Sequence, residues 1–339
     1  MSRSFLTKNT CTTLTLNNSI TAVDGIKVGH AQDERARTGC TVVLLQPEAD
    51  VACDARGGWP GTYDTHSIDI GKTYVKKHAI FLTGGDVFGF DSAVGIRRFL
   101  VERELAMSTG AGKVPGIVGA NIWDLEFARI QSAKYAELGY SACENASSAS
   151  VVEGNVGAGT GATVGKLRGL DFACKGGCGS AATRFPNDIV VGALIITNSV
   201  GNIYDLDAGG RTVAGTRTPE GEFIEFDDVI ADYMQSEIPT SKTTIGVVAT
   251  NLDLSHEHLI RVAQVANDGL AMSIRPSHMS RDGDTLFAVS TARIGGMRES
   301  KRMVDIVGYA ASRCISRAVV RSVKAARSVA GIPGWDRKT

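Results

Sequence analysis

The chain has 339 residues, 43% of them hydrophobic, enough to bury a sizeable core as one large domain or two ordinary ones. Thirty-six basic and 36 acidic residues cancel, so no overall field favours nucleic acid or an acidic membrane surface. No run approaches the ~18 consecutive apolar residues of a membrane span, and seven cysteines at irregular spacings suggest no disulfide framework.

In chain order, Met1 to Ile20 is rich in Ser, Thr and Asn and lacks the apolar stretch of a secretory signal, so a reducing, cytoplasmic location is expected. Residues 1–22 read as a loosely held arm and 23–339 as a single domain. Short apolar runs bounded by turn residues then predict strands over Thr41–Leu45, Ala79–Thr83, Gly116–Ala120, Ile189–Thr197 and Thr244–Thr250. Their apolar residues run together rather than alternate, as in sheets covered on both faces. Helical spacing predicts helices over Ser92–Glu104, Phe127–Leu138, His256–Ala271 and Met303–Val329, the last stopping before Gly331-Ile332-Pro333-Gly334. Strands and helices intermix along the whole length, which gives an α/β or α+β class.

Asp227 to Lys242 reads as an exposed connection that runs through a polar, acidic helix-like segment until Pro239 limits regular structure. A cut there would not unmake a core. Directly after it stand Thr243-Thr244-Ile245. Cleavage between Lys242 and Thr243 would place a hydroxyl and a free α-amine on one residue. That amine titrates near about 7.7–8.0, so it can act as the base for its own hydroxyl.

The glycine run Val156 to Lys166 ends in Gly165-Lys166 but lacks the other marks of a phosphate loop. Thr160 stands where a glycine is needed and Leu167 where Ser or Thr should bind magnesium. These glycines read instead as points of close backbone approach that bring Lys166 to a pocket. Asp282-Gly283-Asp284 puts two carboxylates around a turn just before an apolar run. It is either a tight turn or a pair that orients a nucleophile. Asp54-Ala55-Arg56-Gly57-Gly58 and Leu82-Thr83-Gly84-Gly85 are glycine turns that could offer backbone donors to an oxyanion. Six histidines form no ligand cluster, Cys174 and Cys178 complete no zinc site, and no Gly-x-Ser-x-Gly elbow occurs.

Taken in order, Asp54–Gly58, Leu82–Gly85 with Phe88-Gly89, the run to Lys166, Thr243-Thr244-Ile245 with Val248-Ala249-Thr250, and Asp282–Phe287 resemble the DmpA-like L-aminopeptidase/D-esterase family. That family includes β-peptidyl aminopeptidases and nylon-oligomer hydrolases, and the likeness covers about residues 22–330. It implies an αββα sandwich, with helices covering two central sheets, and a self-processing N-terminal-nucleophile amide hydrolase working without metal or cofactor. Thr243 would be the nucleophile, and the products of self-cleavage would be chains 1–242 and 243–339, assembling as homo-oligomers of αβ units. Lys166, Asn198, Asp282 and Asp284 match polar residues around the nucleophile in the nylon-oligomer branch. Asn121, Trp123, Gly84, Gly85 and Phe88 would line the place of a small peptide or amide substrate.

Three positions depart from the family pattern. Lys242 replaces the usual asparagine before the nucleophile, although attack on the preceding carbonyl does not require asparagine. Trp123 stands where a tyrosine is usual, so a hydroxyl is lost. Asn121 stands where the aminopeptidase branch has a glutamate for the substrate's amino terminus, which tilts the reading towards a broader amidase or the nylon-oligomer branch. Acyl transfer of the ornithine-acetyltransferase kind, or an uncut relative without activity, are the alternatives.

Overall fold

The computed structural model describes residues 17–129, 133–235, 242–296 and 298–335. Nine strands form its main sheet. They are β1 (Ile26–Asp33), β2 (Thr38–Ala55), β3 (Thr62–Tyr63), β4 (Lys76–Thr83), β5 (Ile117–Asn121), β6 (Gly177–Arg184), β7 (Val190–Thr197), β8 (Ile245–Leu252) and β9 (Thr285–Ile294). The helices are α1 (Ser92–Glu102), α2 (Tyr135–Glu144), α3 (Phe226–Gln235), α4 (His256–Ser273) and α5 (Lys301–Lys324). The strand order is β6-β7-β8-β9-β2-β4-β5-β3, with β1 also paired to β2.

Three packed cores give the layering. Val191, Ala193 and Ile195 of β7 face Val262, Ala266 and Leu270 of α4 and Ala311 and Ile315 of α5. On β4 and β2, Phe81 and Val42 face Ile96 and Phe99 of α1 and Ala142 of α2. Between the two halves, Leu194, Ile196, Val247 and Phe287 meet Ile80, Leu82 and Val118. The result is helices, β layer, β layer, helices, the expected αββα sandwich. The long strand β2 pairs with β9 on one side and β4 on the other and so belongs to both β layers. A side-chain period of two with both faces buried explains the unbroken apolar runs.

Each predicted strand coincides with an observed one, those at Gly116, Ile189 and Thr244 starting one residue early. The helix expected over Phe127–Leu138 instead occupies Tyr135–Glu144, with Asp124 accepting the N–H groups of Phe127 and Ala128 in a turn. Residues 1–16 of the expected arm lie outside the described residues, but residues 17–22 are held down. Ile20 is buried and its N–H donates to Ser180 Oγ at 2.8 Å.

Two features of the topology position the site. Strands β8 and β9 are parallel neighbours, with Ile245 beside Thr285. Whatever precedes each strand therefore lies at one common end of the sheet. Their antiparallel neighbours, β7 and β2, finish at that same end, Ile196 beside Ile245 and Ala55 beside Thr285.

Candidate active site

The segments gathered at this end are Lys242–Thr244, Asp282–Asp284, Asn198 after β7 and Arg56–Trp59 after β2. Backbone bonds stitch them together. Arg56 and Gly57 N–H donate to the Asp284 carbonyl at 2.9 and 3.2 Å, and Trp59 N–H donates to Asp282 at 2.8 Å. A Cβ on Gly57 would stand 2.2 Å from the Asp282 carbonyl oxygen, so only glycine permits this approach.

Thr243 sits over Gly283. A Cβ at Gly283 would lie 2.7 Å from Thr243 Oγ, which accounts for the glycine between the two aspartates. The N–H of Gly283 donates to the carbonyl of Lys242 at 2.8 Å. The hydroxyl of Thr243 and the carbonyl just before it thus share one glycine as their platform. The Thr243 N–H donates to the carbonyl of Asn198 at 3.3 Å.

Asp284 is committed to the backbone. One oxygen accepts from Thr244 N–H at 2.8 Å; the other accepts from His278 N–H at 3.0 Å and lies 3.0 Å from His278 Nδ1. Burial opposes the His278 imidazolium, but the hydrogen bond and charge of Asp284 outweigh it and raise its pKa. Asp282 Oδ2 accepts from Met279 N–H at 2.8 Å, while Oδ1 is buried with no partner among the described residues. Burial, then the negative charge of Asp284, push Asp282 up to about 7.

Lys166 Nζ donates to the carbonyls of Thr163 and Asn198 at 2.7 and 3.1 Å and to Asn198 Oδ1 at 2.8 Å. Burial, then the nearby Lys242 charge, press it well below the usual lysine range, with Glu126 and Asp282 acting the other way. Three acceptors use all three ammonium hydrogens, so the charged form is the one this geometry holds. Asn198 Nδ2 in turn donates to the Trp123 carbonyl at 2.9 Å, which fixes the segment after β5 against the site.

Of the other expected substrate contacts, Trp123 is tied to the site through Asn198, and Asn121 Nδ2 and Trp123 Nε1 are buried without a partner among the described residues. Gly84 and Gly85 have another use. Their N–H groups are spent on the Gly39 carbonyl at 2.9 Å and on Asp124 Oδ1 at 2.7 Å, so they offer an oxyanion no donor. Phe88 is 53% exposed in the turn before α1.

Lys242 corrects an expectation. The connection read over Asp227–Lys242 does begin in a helix, α3, and residues 236–241 lie outside the described residues, but Lys242 itself is buried, not exposed. Its ammonium pairs with Glu126 at 2.7 Å. Burial lowers its pKa and Glu126 opposes the shift. Glu126, His278 and Lys175 were not singled out in the sequence. Lys175 is a second buried lysine, donating to Gly159, Ala162 and Gly176 carbonyls and lowered to about 7 by burial. Glu126 meets Lys242 from 116 residues away, and no local pattern marked His278 or Lys175. Among the described residues, no group of three or more His, Cys, Asp or Glu is placed to hold a metal, and no helix is long and apolar enough to cross a membrane.

Comparison with known proteins shows the family and the fold. An aminopeptidase of Mycobacterium leprae, called uncharacterized, is 38% identical, the match covering 94% of this chain and 93% of that one. A 6-aminohexanoate-oligomer endohydrolase of Kocuria sp. is 32% identical over 80% of this chain and 74% of its own. Among solved structures, the L-aminopeptidase D-Ala-esterase/amidase of Ochrobactrum anthropi, described as a variant of the Ntn hydrolase fold, superposes with a TM-score of 0.68. It is 24% identical, over 94% of this chain and 88% of that one. The β-aminopeptidase of a Burkholderia species gives 0.67 at 22% identity, over 92% and 88%. With the family model for peptidase family S58 matching residues 18–336, this chain belongs to that family and is an amide-bond hydrolase.

Proposed function

We propose that the protein is a self-processing N-terminal-threonine hydrolase that cleaves peptides or ω-amino-acid oligomers through an acyl-enzyme. The observation that carries this reading is the arrangement about Gly283. Its N–H holds the Lys242 carbonyl at 2.8 Å while Thr243 Oγ lies 2.7 Å from where a Cβ on it would stand. A hydroxyl and a polarised carbonyl at the same bond are what an N→O acyl shift needs.

Before cleavage no free α-amine exists, so another base must take the Thr243 proton. Asp282 fits that task, with a buried, unpartnered Oδ1 and a pKa of about 7. Thr243 Oγ bonds the Lys242 carbonyl carbon, the C–N bond breaks, and the nitrogen takes the proton. Water then opens the ester and leaves Thr243 with a free amine. In turnover that amine serves as the base, held by the Asn198 carbonyl that already accepts its N–H. Lys166, through Asn198, keeps that carbonyl in place and supplies positive potential for the oxyanion.

Intact-mass measurement of purified protein tests the reading. Two chains meeting at Lys242/Thr243, together with hydrolysis of an amide panel, support it. A chain that stays whole yet hydrolyses amides would show that Thr243 is not an N-terminal nucleophile.

A further inference from the structure

The Lys242–Glu126 pair has one sealed end and one open end. The Lys242 side chain is 1% exposed, whereas Glu126 keeps 32% of its side chain exposed. Glu126 lies three residues beyond Trp123, on the segment that Asn198 anchors to the site. A carboxylate at the rim thus reaches a cation whose own carbonyl sits on the Gly283 donor.

The ester formed in self-cleavage joins Lys242 to Thr243 Oγ. It is an acyl-enzyme on the same oxygen that an external substrate would acylate. The groups around Lys242 are therefore the groups that face an acyl donor. From carbonyl carbon to terminal nitrogen, a lysyl group has the same chain as a 6-aminohexanoyl group; it differs only in its α-nitrogen. The precursor holds in its own site a substituted 6-aminohexanoyl group whose ammonium is 2.7 Å from Glu126.

We propose that Glu126 recognises the free amino end of an external acyl donor. The processed enzyme then prefers amides whose acyl group carries a primary ammonium at the lysine ε position, namely 6-aminohexanoyl and L-lysyl amides. The inference rests on Thr243 being the nucleophile. Thr243 Oγ bonds the carbonyl carbon, its proton passes to the departing amine, and water breaks the ester to release the amino acid. An ammonium at Glu126 gains a charge-assisted hydrogen bond in a partly desolvated place, and an acylated nitrogen does not. Oligomers would accordingly be shortened from their amino end.

The test compares p-nitroanilides of 6-aminohexanoate, hexanoate, N-acetyl-6-aminohexanoate, L-lysine and L-norleucine, using the full processed protein and its Glu126→Gln variant. The wild type should favour each cationic anilide over its neutral partner by at least about tenfold in kcat/KM, the size of one charge-assisted contact. Glu126→Gln should lose that preference, its kcat/KM on each cationic anilide falling to that on the neutral partner. Equal rates for cationic and neutral anilides in the wild type overturn the proposal. So does fast cleavage of the N-acetyl substrate, equal loss on all substrates in the variant, or hydrolysis of none of them. Should Glu126→Gln remain uncut, the wild-type ratios alone decide. Thr243→Ala separates this inference from the reading beneath it. If that variant still turns over anilides, the nucleophile is wrong; if it is inert and the wild type ignores the ammonium, only the role of Glu126 falls.

Discussion

The carbonyl of Asn198 accepts the N–H of Thr243 at 3.3 Å, and the same carbonyl accepts Lys166 Nζ at 3.1 Å. One backbone oxygen thus couples a buried cation to the nitrogen that would become the chain end on the proposed cleavage. Asn198 follows β7, whose partner in the sheet is the strand that begins just after Thr243, so the sheet itself sets this contact.

Thr243→Ala should leave the precursor whole and abolish turnover, because alanine offers no oxygen to either step. Thr243→Ser should still cleave. Mass spectrometry of freshly purified protein checks both, and a cleaved alanine variant would refute the assignment.

The pH dependence of self-cleavage follows from Asp282. Its pKa of about 7 belongs to a group that must be deprotonated to act as base. Precursor cleavage should therefore accelerate as pH rises through about 7 and level off above it. Asp282→Asn should be slow at every pH, by about 100-fold or more, the contribution of a positioned base. Time courses on freshly translated precursor, across pH values on either side of neutrality, measure this. A wild-type rate that falls with pH would reject the role.

Lys166→Met removes a cation that satisfies three acceptors. Two carbonyls and Asn198 Oδ1 lose a buried donor, which costs on the order of 3 kcal/mol of stability. Turnover should fall further, by about 100-fold or more, if the oxyanion loses its positive potential. Thermal melting and kcat on the same preparation separate the two effects. Full activity at a lowered Tm would make Lys166 structural only.

Gly57→Ala places a Cβ where the Asp282 carbonyl oxygen stands, 2.2 Å away. Because backbone, not a flexible side chain, must give way, the turn carrying both aspartates shifts. Overpacking of this kind costs about 1–3 kcal/mol. Self-cleavage should slow far more than that loss of stability implies. A variant that cleaves at the wild-type rate would show that the turn does not depend on this contact.

The sequence by itself determined a good deal. Unbroken apolar runs such as Ile189–Thr197 marked strands buried on both faces, because side chains alternate and each face meets a core. Local chemistry also marked Thr243 after a polar stretch and Asp282-Gly283-Asp284 before a strand, and the glycine motifs in order carried the family resemblance. The helix placed at Phe127–Leu138 is displaced: Phe127 and Ala128 close a single turn on the Asp124 carbonyl, and the observed helix runs from Tyr135 to Glu144.

Only the tertiary structure decided that Thr243 meets the Asp282-Gly283-Asp284 turn. They are far apart in the chain and lie together because β8 and β9 run parallel and start at one end. It also decided that Lys242 is buried against Glu126, and that Gly84 and Gly85 serve Asp124 and the Gly39 carbonyl, not an oxyanion. Hydrophobic periodicity is written locally, residue by residue. The pairing of charges and donors depends on which strand ends the sheet brings side by side, and that is a property of the whole fold.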